Sequence, residues 1–359
     1  MKHLNALNTI YGLGNQKMKL LMSFFESAEQ VWQASREQLL KSGIAENIAQ
    51  KIVEQRPLID VEKEWEKLER ENILAIGLDD PRYPALLKQI PDNPYVIYMK
   101  GDLKCLDLPL VAIVGSRKLT EYGNDVARGF ARDLADSGIC VVSGLAFGVD
   151  AMAHTGALEV KGRTIAVLGN SLDSESIAPR TNFQLSEDII KGGGLLVSEF
   201  PVKTAANVGT FPARNRIMAG MSLGTLVVEA AEKSGSLITA NLALDYNRDV
   251  FAVPGSIFSP QSTGTHMLIK AGAKLVTCVG DILTELRIES GKKMPLEAKV
   301  FDLTDDEKIV HTVLSHESLH IDRISKLTKL ETSTISSILA MMEIKGAIKN
   351  VGGQNYIRL

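Results

Sequence analysis

The feature that most limits what this chain can become is a series of short, nearly continuous apolar runs from residue 109 onward: LPLVAIVG, ICVVSG, TIAVLG, LLVSEF, GTLVVEA, DVFAVPG and KLVTC. Most of the intervals between them carry a helical pattern, with helices expected to begin near Asn124, Val149, Asn182, Asn215 and Ser236. Val/Ile/Leu runs without polar alternation are strands buried on both faces, and their alternation with helices marks βαβ units in a mainly parallel sheet. The middle of the chain is therefore expected to be a doubly wound α/β domain. Such sheets place ligands beyond the carboxyl ends of their strands. The residues there, Gly115-Ser116-Arg117, Ser143-Gly144, Gly169-Asn170-Ser171, Ser198-Glu199 and Pro254-Gly255, are polar or glycine-rich.

At 359 residues the chain exceeds what one hydrophobic core usually supports, so two or three domains are expected. The first 60 residues read as helical, with Gly12, Gly14 and Gly43 preceding amphipathic stretches, and Met18, Leu21, Met22 and Phe25 on one helical face. The GLG and SGI turns resemble a tandem helix-hairpin-helix, which contacts DNA phosphates in some proteins and only other proteins in others. Residues 57–72 form a charged connector helix, and the proline-rich DDPRYPALLKQIPDNPYVIYMKGD suits irregular extended structure. At the other end, Thr304 and Glu307 form a capping box. Two more helices and a hairpin, AIKNVGGQNYIRL, complete the order of a winged helix. Its third helix, TSTISSILAMMEIKG, contains no arginine and only Lys345 near its end, which favours a protein-contact or accessory role over DNA reading.

No apolar run approaches bilayer-crossing length, and the N-terminus lacks a charged head followed by an apolar stretch, so a cytoplasmic protein without membrane insertion is expected. Cys105, Cys140 and Cys278 lie far apart without a CxxC, which argues against zinc and against a disulfide framework. They read as reduced, mostly buried thiols. A net charge of −3 excludes a globally basic nucleic-acid binder, so any polyanion must be met at a defined site.

The turn IVGSRKLTEYG is not a dinucleotide fingerprint, because the second and third glycines would fall at Arg117 and Thr120. The sequence also has no G-x-x-x-x-G-K-[ST], which removes P-loop ATP hydrolysis. What remains is either a nest of amides with a hydroxyl and a guanidinium for one phosphate, or a tight turn with Arg117 paired to a carboxylate. Other strand ends weigh toward phosphate. FPARNRIMAG places Arg214 and Arg216 at an expected helix start, where cations oppose the macrodipole unless anions bind nearby. EKSGSL supplies Lys233, Ser234, Gly235 and Ser236 before another helix, and APRTNF supplies Arg180 and Asn182. Several receptors along one sheet edge suit a polyanion tracked along a groove.

Together, IVGSRKLTEYG, VVSGLAFGVDAMAHTGAL, TIAVLGNSLD, SEFP, FPARNRIMAGMS, VVEAAEKSGSLITANLAL and VFAVPGSIFSPQSTGTHMLIKAGAKLV closely resemble the DprA/Smf family of bacterial DNA-processing proteins. The resemblance covers nearly the whole chain. It implies a SAM or helix-hairpin-helix-like domain over 1–70, an extended Rossmann-like DNA-binding domain over 71–290, a linker over 291–301 and a winged helix over 302–359. It further implies binding of single-stranded DNA without marked sequence preference, loading of the RecA recombinase in natural transformation, self-association as a homodimer, and no cofactor. By motif, the strand would meet Gly115, Ser116, Arg117, Ser143, Gly144, Arg180, Asn182, Phe211, Arg214, Asn215, Arg216 and Lys233 through Ser236, while His266, Ile269 and Leu275 would form the dimer contact. The family's Tyr-Pro-Lys reads Ala178-Pro179-Arg180 here, so the charge is kept and an aromatic is lost. The alternative is a nucleotide-hydrolysing enzyme resembling the phosphoribohydrolases, with Glu229 behind Leu223-Gly224-Thr225 as its carboxylate, although the leading glycines of that motif are missing. A third possibility, compatible with the first, is an adaptor that recruits proteins through its helical ends.

Overall fold

The computed structural model describes residues 1–207, 209–288, 303–315, 318–328 and 330–358. The expected linker at 291–301 lies outside the described residues. Two compact units result, Met1–Lys292 and Lys293–Leu359.

In the first unit, strands β1 (Leu74–Gly77), β2 (Val96–Gly101), β3 (Leu110–Val114), β4 (Cys140–Ser143), β5 (Thr164–Val167), β6 (Leu195–Ser198), β7 (Gly224–Val227), β8 (Asp249–Ala252) and β9 (Lys274–Leu275) form one sheet. Their order is β1-β2-β6-β5-β4-β3-β7-β8-β9. From β6 to β9 every pairing is parallel, as the apolar runs require. Burial on both faces is direct in β3: Val111 and Ile113 enter one core, while Ala112 and Val114 enter the core on the other side. From β3 the chain winds one way through β4, β5 and β6, then returns to lay β7 against β3 and winds the other way. The crevice between β3 and β7 is thus the topological switch point, where open α/β sheets bind ligands.

The proline-rich stretch departs from expectation. It contains a helical turn, Ala85–Lys88, and then β2, which joins the sheet antiparallel to β6 with Tyr98 opposite Ser198. Prolines lacking an amide donor sit just before the strand and leave its own hydrogen bonds intact.

Helices Lys2–Asn8, Asn15–Phe24, Ala28–Gln33, Arg36–Lys41, Glu46–Gln55 and Val61–Arg70 form the N-terminal part. Positive φ at Gly12 and Gly43 lets the chain reverse between helices. Met18 and Leu21 are buried, but Phe25 lies past the helix end and only half inside, because the backbone turns extended there. Packing crosses the boundary expected at residue 70: Leu7, Met18 and Leu21 share a core with Tyr98, Ala166 and Leu196 of the sheet. The Tyr98 hydroxyl donates to Asn5 Oδ1 at 2.8 Å, so the two parts are joined by a buried polar contact as well.

The second unit packs helices Asp305–Val313, Ile321–Thr328 and Thr332–Ile344 over Val310, Ile324, Ile335 and Leu339. Strands β10 (Leu319–His320), β11 (Ile348–Gly352) and β12 (Asn355–Arg358) pair in the order β10-β12-β11, which is a winged helix with one short strand more than the hairpin expected. The Thr304–Glu307 capping box is formed. Lys345 Nζ lies 2.6 Å from Glu307 Oε2, so the third helix's cation is paired within the fold.

Among the described residues no helix is long and apolar enough to cross a membrane. All three cysteines are free, with Cys105 and Cys140 buried and Cys278 exposed.

Candidate nucleic-acid interface

A cavity of about 660 Å³ opens at the switch point, walled by the turn after β3, the start of helix Thr210–Met221 and the start of helix Gly235–Asp245. The turn after β3 is tight because nothing larger than hydrogen fits at Gly115: an added Cβ would lie 2.5 Å from Val149 Cγ2 and 2.9 Å from the Glu229 carbonyl. The expected open amide nest is not there. The Ser116 amide donates to the Glu229 carbonyl at 2.7 Å, and the Lys118 amide donates to Ser116 Oγ at 3.0 Å. The Thr120 amide donates to the Glu229 carboxylate at 3.1 Å. These donors are spent on closing the turn, and what it presents outward are the side chains of Arg117 and Lys118. The guanidinium of Arg117 is exposed and lies 4.9 Å from the centre of the Phe211 ring. Among the described residues Arg117, Lys118 and Lys233 have no ion-pair partner, so the turn with a carboxylate-paired Arg117 is not the one formed.

Helix Thr210–Met221 begins five residues before the expected Asn215, because Pro212 is tolerated in a first turn. Arg214 and Arg216 therefore stand in the second turn, on opposite sides of the helix, and each has found a protein anion. Arg214 is buried at the cavity floor, with Nη1 donating to the Val167 carbonyl at 2.7 Å and Nη2 lying 3.8 Å from Asp150 Oδ2. Arg216 points away, paired with Glu199 and lying 3.7 Å from Asp92. The anions that the sequence argument asked for near these arginines are carboxylates of the fold itself. Burial pushes the Asp150 carboxyl up, and the Arg214 guanidinium opposes that shift. Burial also holds His154 near a pKa of about 3, so its ring is neutral, and Nδ1 lies 2.8 Å from Thr164 Oγ1.

Ser143 and Gly144 support the site without lining it. Ser143 Oγ donates to the Ile113 carbonyl at 2.7 Å, and Gly144 leaves the space that the Arg214 guanidinium fills, since a Cβ there would lie 1.5 Å from Nη1. Asn182 Nδ2 donates to the Leu145 and Ala146 carbonyls at 2.9 and 3.2 Å, bracing the loop whose Ala146 faces the cavity. Arg180 is exposed outside the cavity wall, stacked 4.1 Å from the Phe183 ring. Asn215 lines the cavity.

On the far wall, Ser234 caps helix Gly235–Asp245. Its Oγ lies 2.7 Å from that of Ser236. Lys233 is exposed beside the positive helix end. Sequence reasoning left out Lys118, the half-exposed Ile238 and Gln261, whose Oε1 is buried without a hydrogen-bond partner, although all three line the cavity. It also assigned no role to Asp150, whose signal would have been a lone carboxylate at a helix start facing an arginine.

Glu229, the carboxylate of the hydrolase alternative, has a structural task. Its Oε1 accepts from Thr120 Oγ1 at 2.5 Å and its Oε2 from the Thr120 amide, so the carboxylate holds the cap of helix Glu121–Asp136. Gly123 makes room for it, since a Cβ there would lie 2.2 Å from Oε2.

Of the residues expected at a dimer contact, His266 Nε2 lies 3.1 Å from the Gly255 carbonyl, Ile269 packs partly into the core, and Leu275 is exposed on edge strand β9. Around them Ile257 and Phe258 are 80% and 89% exposed, and Met267 is 49% exposed.

The family profile of DNA recombination-mediator protein A matches residues 74–287, and that of the DprA winged helix domain matches residues 294–354. Protein Smf of Synechocystis sp. is 35% identical over 390 residues, covering 98% of this chain and 97% of that protein. Among solved structures, DNA processing protein A from Streptococcus pneumoniae superposes with a TM-score of 0.70 at 35% identity, covering 79% of this chain and 98% of that one. DNA processing protein A from Helicobacter pylori, whose structure was described for its single-stranded DNA binding mode, superposes with a TM-score of 0.54 at 32% identity, covering 60% and 95%.

Proposed function

The chain belongs to the DprA/Smf family of DNA recombination mediators, and from that premise we propose that it holds single-stranded DNA across the β3–β7 crevice and loads RecA onto it. One observation carries the reading: three exposed cations without ion-pair partners among the described residues, Arg117, Lys118 and Lys233, converge with a helix N-terminus and the Phe211 ring on one cavity. Cations that neutralise phosphates and a ring that stacks bases are the parts of a sequence-tolerant single-strand site. In this reading Arg214, Gly144, Ser143 and Asn182 act from beneath the groove, setting its walls, and Arg180 extends it along the surface.

We read the protein as a non-enzymatic mediator. The only carboxylate suggested for hydrolysis, that of Glu229, has both oxygens engaged by Thr120 in capping a helix, which supports a structural task for it over a catalytic one. Two copies would meet along β9, His266 and Ile269, where an unpaired strand edge adjoins exposed apolar side chains. Such a mediator works in the cytoplasm, where strand and recombinase meet.

Fluorescence anisotropy with labelled single-stranded and duplex oligonucleotides tests the site. The single strand should bind more tightly, and Arg117→Ala should weaken it by about tenfold or more, the scale of one charge-assisted contact. Equal binding by parent and variant would remove the groove.

A further inference from the structure

A second cavity, of about 450 Å³, lies where the N-terminal helices meet the sheet. Three aromatic side chains line it: Tyr11 from the glycine turn, Tyr95 from before β2 and Phe200 from after β6. Tyr11 is 81% exposed, although Lys51 sits above its ring with Nζ 5.3 Å from the centre. Lys17 is the cation on the wall itself, its Nζ donating to the Gly12 carbonyl at 2.8 Å, while Lys51 stands behind Tyr11. The start of helix Asn15–Phe24 also faces this space, and its N-cap, Gly14, provides no side-chain acceptor for the first amides. On the inner wall Glu199 uses one carboxylate oxygen on Arg216, while Oε1 is buried without a hydrogen-bond partner. Aromatic faces, the Lys17 ammonium on the wall with that of Lys51 close by, open helix amides and one orphan acceptor are complementary to a nucleotide: a ring to stack, a phosphate to neutralise and an N–H edge to receive.

The position of this cavity identifies the nucleotide's source. Thr210 lines it and the next residue, Phe211, lines the β3–β7 cavity, so the two open on either side of one helix start. We propose that the Tyr11 cavity is a second seat for the same single strand, holding a base and its phosphate after the strand leaves the switch-point groove. The seat rests on the single-strand reading of that groove and extends the DNA footprint onto the N-terminal helices. Glu199 and Arg216 then have a role the groove does not supply: their pair fixes the orphan oxygen toward the base edge.

The test is anisotropy on the full chain with fluorescein-labelled oligonucleotides from about 4 to 16 nucleotides, the site-size range of single-strand modules. Tyr11→Ala should leave the shortest oligonucleotides unaffected and weaken the longest about tenfold, while Tyr11→Phe, which keeps the ring, should restore parental affinity. Lys17→Glu should reproduce the length-dependent loss without touching an aromatic. Arg117→Ala should weaken every length. If Arg117→Ala fails to weaken any length, the groove itself is wrong. If it weakens all of them while Tyr11→Ala and Lys17→Glu match the parent throughout, the groove stands and the second seat falls. A parallel titration with free dAMP separates the sources: saturation that Tyr11→Ala abolishes, with long-oligonucleotide affinity unchanged, would make the cavity a mononucleotide site and overturn its assignment to the strand.

Discussion

Gly144→Ala should destabilise the first unit severely, through a residue that touches no ligand. The Cβ would lie 1.5 Å from Nη1 and 2.2 Å from Cζ of Arg214, where ordinary contact begins at about 3.5 Å. The guanidinium would have to move by about 2 Å, the shortfall to ordinary contact. Arg214 has no easy retreat, because its side chain is 4% exposed, donates to the Val167 carbonyl and faces Asp150. Losing a charged hydrogen bond costs about 1.5–3 kcal/mol, and disrupting a buried ion pair about 3–5 kcal/mol. These overlap, so a net cost of about 3–5 kcal/mol is expected, a large part of a domain's total stability. Trp32 and Trp65 both belong to this unit, so their fluorescence reports its urea transition. The decisive measurement is a double-mutant cycle with Arg214→Ala, which empties the space that the new methyl would enter. In that background Gly144→Ala should cost less than about 1 kcal/mol. An equal cost in both backgrounds would refute the account, since the glycine would then be needed for something other than the guanidinium.

Four further outcomes follow from the same structure. Arg117→Ala and Lys233→Ala should each reduce the slope of log affinity against log salt by about 0.7 if each cation neutralises one phosphate; unchanged slopes would remove them from the strand's path. Because His154 titrates near 3 when folded, against 6.5 when free, only the unfolded chain takes up its proton between those values. Its stabilising contribution is complete above about pH 6.5 and should fall by on the order of 1 kcal/mol per unit as pH drops, a slope that His154→Asn should flatten in urea titrations. Leu275→Glu, placing a charge on the exposed edge, should halve the mass seen by light scattering if β9 joins two copies. Glu229→Gln should lower thermal stability by loosening the Thr120 cap, while incubation of the parent with AMP should release no adenine; adenine release abolished by Glu229→Gln would restore the hydrolase reading.

How legible the site was depended on how local its causes are. Gly115 could be placed at the turn because a glycine directly after a buried strand marks its end, although the close contacts that require it, with Val149 and the Glu229 carbonyl, come from distant segments. Lys233 to Ser236 could be read because an N-cap is a matter of a few consecutive residues. Arg214 and Arg216 could not be sorted by the same means. They are two apart on one helix and chemically alike, and which one faces the cavity depends on where the helix begins and on Asp150 and Glu199, carboxylates from distant segments. Gly144 was placed in the right region with the wrong task, since the side chain it accommodates comes from 70 residues away. The turn amides after β3 were misjudged for a similar reason: those of Ser116 and Thr120 donate to Glu229, across the switch point.

The amino-acid order by itself determined the parallel sheet and the helices between its strands, because burial on two faces writes a nearly unbroken apolar run into each of the central strands β3 to β7. Tertiary structure alone decided which cations stay free. A buried charge must find an opposite charge at close range, and only the folded arrangement shows that Arg214 and Arg216 have found theirs while, among the described residues, Arg117, Lys118 and Lys233 have not.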